Sequence, residues 1–93
     1  MASSTMKLTT PPTGSLQGKD LNDLPAVFAM YGFWGGSNIT NYPTGIDPAG
    51  CLLLTIPIGG ASNMYQIFIT TAYKIYGRRR TYQNVWEAWA LMN

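Results

Sequence analysis

The chain has 93 residues, enough for one domain with one core and too few for two. Only 11% of them are charged while 46% are hydrophobic, against about 25% charged in an ordinary globular domain, so part of the surface is expected to be covered, most simply by self-association. A net charge of +2 with one basic run, Arg78 to Arg80, argues against nucleic acid; a single cysteine, Cys51, excludes an intrachain disulfide; and the lack of histidine removes the usual general base and the commonest metal ligand.

Residues 1–19 are rich in Ser, Thr, Pro and Gly, with Pro11-Pro12 favouring an extended path, and are read as an N-terminal connector. They show no apolar core of a secretory signal, so synthesis in the cytoplasm without export is expected. The domain is expected to span 20–93. Asp20-Leu21-Asn22-Asp23-Leu24-Pro25 predicts a turn, because Asn and Asp side chains bond nearby backbone and Pro25 keeps Leu24 out of helix.

Ala26 to Tyr31 predicts a short strand, and Phe33 to Pro48, dense in Gly, Ser, Asn and Pro, a long loop. From Gly50 to Ile58 the alternation places Leu52, Leu54, Ile56 and Ile58 on one face, expected to be core, and Leu53, Thr55 and Pro57 on a semi-apolar one. Pro57 requires an edge or a bulge. Residues 59–63 predict a turn and Met64 to Thr70 the next strand, the two forming the centre of the sheet. The apolar run from Cys51 to Ile58 is too short to span a bilayer, so no membrane insertion is expected. Tyr73 to Tyr82 predicts a further strand. Val85 to Met92 suits a bulged strand, which is favoured, or a helical turn with Trp86 and Trp89 at i and i+3. The fold class expected is all-β and mostly antiparallel, a compact sheet or sandwich.

The order of these features, Leu24-Pro25 before the first strand, Asn41-Tyr42-Pro43, the Gly50-led apolar strand, Tyr65-Gln66-Ile67, Tyr76 with Arg80-Thr81-Tyr82, and Trp86-Glu87-Ala88-Trp89, resembles the pyocin-knob family found at the C-terminal ends of phage tail fibres and R-type tailocin fibres. The likeness runs from about Asp20 to Asn93, with Pro25, Tyr65, Tyr76, Arg80, Tyr82, Trp86 and Trp89 as its structural motif. It implies a knob-like homotrimeric fibre end on a virion, beside other fibre or tail proteins, that attaches to a bacterial surface polysaccharide or outer-membrane receptor and performs no catalysis. Two other roles stay open: a trimerisation or capping module without ligand, and a carbohydrate-binding appendage of a bacterial surface protein.

The four carboxylates, Asp20, Asp23, Asp47 and Glu87, fall in or beside predicted turns, Cys51 has no basic neighbour in sequence, and the glycines form no phosphate loop. No catalytic residue, metal site or cofactor is expected. Glycan recognition needs a flat ring beside planar hydrogen-bonding groups, and Trp34, Asn38, Asn41 and Tyr42 supply both on one loop. The competing role for Trp34 and Tyr42, as for Trp86 and Trp89, is to fill the core. Alternate arginines protect a strand edge; Arg80 is expected to meet Tyr82 or a Trp inside the domain, and Arg79, on the opposite face, an anionic glycan or a neighbouring subunit.

Overall fold

The structure, a computed structural model, describes residues 13–34, 38–59 and 62–93. Its strands are β1 Thr13–Ser15, β2 Ala29–Phe33, β3 Cys51–Pro57, β4 Met64–Ile69, β5 Ile75–Arg80 and β6 Ala90–Leu91. They form one six-stranded sheet in that order. From β2 to β6 neighbours are antiparallel, and β1 joins the edge of β2 in parallel. The expected all-β, mostly antiparallel class is what the chain adopts.

A parallel pair cannot be closed by a tight turn and needs a crossover of a dozen or more residues. Residues 16–28 supply it. They cross one face of the sheet and set Leu16, Leu21 and Leu24 against Phe33, Cys51, Leu53 and Phe68 in one buried cluster. Within the crossover, Leu21–Asp23 makes a 3-10 turn whose cap, Asp20, accepts the Asn22 amide at 2.9 Å. Leu24 is extended, φ −70° and ψ 142°, as the following Pro25 requires. The sheet thus starts at Thr13, and fully buried Leu16 belongs to the core, although both fall in the stretch read as a connector. The remainder of that connector, 1–12, lies outside the described residues.

The first long strand is displaced from its expected position. β2 begins at Ala29 instead of Ala26 and takes in Phe33, a buried core residue assigned by its sequence context to a loop. Val27 and Phe28 stay exposed in a bend closed by the Val27 amide on the Pro25 carbonyl. For β3 the faces are inverted: Cys51, Leu53 and Thr55 are buried, whereas Leu52 and Leu54 are half-buried and Ile56 is exposed. What decides the matter is where the covering segments pass. The crossover lands on the side of Thr55 and Gln66, whose polar groups it satisfies. The Thr55 hydroxyl donates to the Val27 carbonyl at 2.7 Å, and Gln66 Nε2 donates to the Leu21 carbonyl at 2.7 Å. Pro57 fits its expected place, because β2 pairs with β3 only as far as Thr55 and leaves Pro57 with β4 alone.

The expected turn at 59–63 joins β3 to β4, with 60 and 61 outside the described residues. β5 begins at Ile75, two residues later than expected, and the strand expected over 85–92 reduces to a bridge between Trp86 and Arg80 followed by the two residues of β6.

Candidate functional site

The covered face is closed at β5 by two buried arginines. Alternation along β5 sends Tyr76, Arg78 and Arg80 inward and Gly77 and Arg79 outward. Arg78 Nε donates to Gln66 Oε1 at 2.9 Å, and its guanidinium lies 3.9 Å from the Trp86 ring centroid and 4.5 Å from that of Trp89. Its Nη2 is buried without an acceptor, so the indole faces meet part of the charge. Burial pulls the Arg78 guanidinium down to about 10, against the opposing effect of the Asp20 carboxylate. It therefore remains a cation at neutral pH. Arg80 Nε donates to the Ser62 carbonyl at 2.8 Å, and its carbon lies 5.2 Å from the Trp86 ring.

Both indoles are also tied by their nitrogens. Trp86 Nε1 donates to the Asn22 carbonyl at 3.2 Å and Trp89 Nε1 to the Asn41 carbonyl at 2.9 Å, while the Trp89 ring meets Phe68 edge-on at 5.8 Å. This cluster fastens the crossover, the 38–50 loop and the C-terminal segment to one face. It holds the loops in place and leaves their far ends free.

Those ends lie at one end of the sheet. Trp34 follows the last residue of β2, where the Gly50 amide bonds the Phe33 carbonyl at 2.7 Å, and it is 93% exposed. The β4–β5 turn lies at the same end, because Leu52 pairs with Ile69 and Ile69 with Ile75. At its tip Tyr73 is 83% exposed and has φ +63°. Among the described residues the other non-glycine positions with positive φ are Asn38, Asn41 and Asn84, a residue type that tolerates this region, whereas an aromatic there is strained. The turn is held by Thr70, whose hydroxyl accepts the Ala72 and Lys74 amides, and by Asn93, whose Nδ2 donates to the Tyr73 carbonyl at 2.8 Å. Beside it a cleft of about 250 Å³ is bordered by Ile46, Asp47, Thr70, Thr71 and Lys74. Two highly exposed rings at one end of the sheet can each stack on a sugar ring.

The residues expected to bind ligand do not assemble as one set. Trp34 is presented to solvent, so it does not fill the core. Asn38 is exposed on the same loop. Asn41 is used structurally: its Nδ2 donates to Asp20 at 2.7 Å and its carbonyl serves Trp89. Tyr42 packs against the core. Arg79 lies on the outward face in register with Tyr65, toward the other end of the sheet, and pairs with Glu87 at 2.6 Å. Of the motif residues, Tyr76, Trp86 and Trp89 are half-buried and Arg80 is buried, while Pro25, Tyr65 and Tyr82 are exposed. Arg80 thus meets Trp86, and Tyr82 is left in solvent. Tyr73 is the residue that sequence reasoning missed. Its neighbours Thr70 and Thr71 suit a turn, but tyrosine belongs to strands and gives no sign of positive φ.

Cys51 is buried, and desolvation pushes its thiol up to about 11, which makes it unreactive at neutral pH. Among the described residues no three His, Cys, Asp or Glu side chains come together as a metal site requires. Comparison with protein-family models, with curated proteins and with solved structures finds no match.

Proposed function

We propose that the chain is an attachment domain: the knob-like, homotrimeric end of a phage tail fibre or tailocin fibre that binds a bacterial surface glycan. The observation that carries this reading is the pair Trp34 and Tyr73, two highly exposed rings at one end of the sheet, one of them held in a strained backbone. Strain that persists at an exposed position points to use, since an asparagine would fill the same turn at lower cost. The order of motifs from Asp20 to Asn93 supports the fibre-end assignment. A cleft of about 250 Å³ suits one sugar ring, below the usual range for larger ligands, so weak single contacts would be multiplied by having three copies on one fibre.

Adsorption of the labelled protein to a panel of Gram-negative cells, with an array of bacterial surface polysaccharides on the same sample, tests this. Binding to a subset of strains is expected, and Trp34→Ala is expected to lower it about tenfold per site, the worth of one stacked ring. A folded protein that adsorbs to no strain, or adsorption indifferent to both Trp34→Ala and Tyr73→Ala, would overturn the reading.

A further inference from the structure

The turn that carries Tyr73 is held from two sides. From within, the Tyr73 amide donates to the Thr70 carbonyl at 3.0 Å, and the Thr70 hydroxyl accepts the Lys74 amide at 3.2 Å. From outside, the side chain of Asn93 takes two groups that Thr70 does not reach: its Nδ2 donates to the Tyr73 carbonyl at 2.8 Å and its Oδ1 accepts the Ile75 amide at 2.9 Å. The peptide unit between Tyr73 and Lys74 is thus fixed at both ends, its N–H by Thr70 and its C=O by Asn93. With the preceding unit fixed through the Tyr73 amide, rotation about both backbone bonds of Tyr73 is restrained. A tyrosine at φ +63° keeps that conformation only where its surroundings over-determine it, and the bond from Asn93 is the shortest of those that do so.

Asn93 reaches this position because residues 90–93 run along the outer edge of β5. Ala90 pairs with Gly77 and Leu91 with Tyr76, and the Met92 amide donates to the Ile75 carbonyl at 2.7 Å. Met92 lies across Gly77, where a Cβ would stand 2.5 Å from its Sδ and 3.5 Å from Ile67 Cδ1, so a bare backbone at 77 gives the segment its seat. Beside Ile75 the Asn93 carboxamide continues the ladder, since it carries a donor and an acceptor as a peptide group does. Aspartate offers the acceptor alone, and alanine neither. We propose that Asn93 is the positioning residue for Tyr73, and that residues 90–93 are a strap holding the exposed ring in place before a ligand arrives. The use made of the ring rests on the attachment reading; the restraint does not. A ring free to leave its conformation binds in proportion to the fraction of molecules that retain it, and ordering one residue corresponds to about a tenfold change in affinity.

Nitrogen-15 relaxation of the full chain reads the restraint directly. Wild type is expected to give Tyr73 an order parameter of about 0.85, as for rigid backbone, and Asn93→Ala one below about 0.6, with the β3–β4 hairpin equally ordered in both. Asn93→Asp keeps the acceptor for the Ile75 amide and loses the donor to the Tyr73 carbonyl. It is expected to loosen Tyr73 while the Ile75 amide stays protected from hydrogen exchange, which separates that one bond from attachment of the strap as a whole. Adsorption reads the use. Asn93→Ala is expected to lower it about tenfold, by the same factor in a Trp34→Ala background and not at all in a Tyr73→Ala background. A Tyr73 that stays rigid in either Asn93 variant overturns the proposal. So does a loss of adsorption of equal size with and without the Tyr73 ring, which marks a strap that serves only the β5 edge. Wild-type protein with an ordered Tyr73 that adsorbs to no strain strikes the attachment reading and leaves the restraint standing on the relaxation result.

Discussion

The guanidinium carbon of Arg78 lies 3.9 Å from the centroid of the Trp86 ring, which joins the sheet to the segment that seals it. Arg78→Ala removes the cation from between the two indoles and leaves Gln66 Oε1 without its donor. With about 1–2 kcal/mol for desolvated cation–π stacking and a further 1–3 for an orphaned buried acceptor, a loss of about 3 kcal/mol is expected. Urea unfolding with an unchanged slope is the measurement. Arg78→Lys is expected to recover less than half of that loss, because an ammonium offers no flat face to an indole.

Tyr73→Asn is expected to raise stability by about 1 kcal/mol, because asparagine takes positive φ more readily than tyrosine. The same substitution is expected to lower cell adsorption. Opposite signs in a melting curve and a binding curve would identify strain kept for function. Equal loss in both would place Tyr73 among ordinary structural residues.

Asp20 carries an acid-sensitive contribution. The hydrogen bond from Asn41 holds its carboxyl below the ordinary value of 3.8, with the Asn22 amide acting in the same direction and partial burial opposing. A depressed carboxylate contributes stability that is present above its unfolded pKa and is lost as pH falls through the lower folded value. Stability is therefore expected to decline below about pH 4, and Asp20→Asn, which keeps an acceptor for the cap, is expected to flatten that decline. Thermal melts of both proteins from pH 2 to pH 6 test it. An identical slope in the two would remove Asp20 from the account.

Gly50→Ala meets two obstacles. The residue has φ +76°, and an added Cβ would come within 2.6 Å of Thr71 Cγ2 in the β4–β5 turn. A loss of about 2 kcal/mol is expected, above the usual cost of a side chain at positive φ. Thr71→Ser in the same chain removes the methyl and is expected to restore part of it, the remainder being backbone strain.

Arg79→Ala separates a surface ion pair from a binding group. Both partners are about half exposed, so solvent screens the pair, and little change in the melting temperature is expected. If adsorption and its salt dependence also stay unchanged, anionic glycan recognition by Arg79 is ruled out.

Strand class and the central β3–β4 hairpin were legible in the sequence because alternation is a local signal. The direction in which β3 faces was not. Leu52, Leu54 and Ile56 look more like core than Cys51, Leu53 and Thr55, and the choice was made by covering segments distant in sequence, among them Leu21, bonded to Gln66 across 45 residues. Buried Arg78 was hidden for the same reason, since arginine on a strand reads as a solvated edge until indoles are placed over it, whereas the contact of Arg80 with a tryptophan was expected from its place beside Tyr82. β1 escaped notice because Thr13-Gly14-Ser15 has neither length nor side chains to mark a strand. In the candidate site Trp34 was legible as an aromatic on a glycine-rich loop, whereas Tyr73 depended on a backbone angle that no residue type announces.

The clamp of Arg78 and the two tryptophans has a consequence for how the protein is made. Trp86 reaches back 64 residues to the Asn22 carbonyl, and Arg80 reaches 56 to that of Leu24. A nascent chain on the ribosome can pair β3 with β4, but it cannot seal its covered face until residue 89 has been synthesised and released from the exit tunnel. With so much of the core closed by distant contacts, folding is expected to be slow for a domain of this length. Until it is complete both faces of the central hairpin stay open to water, and local chain concentration then decides between assembly and aggregation.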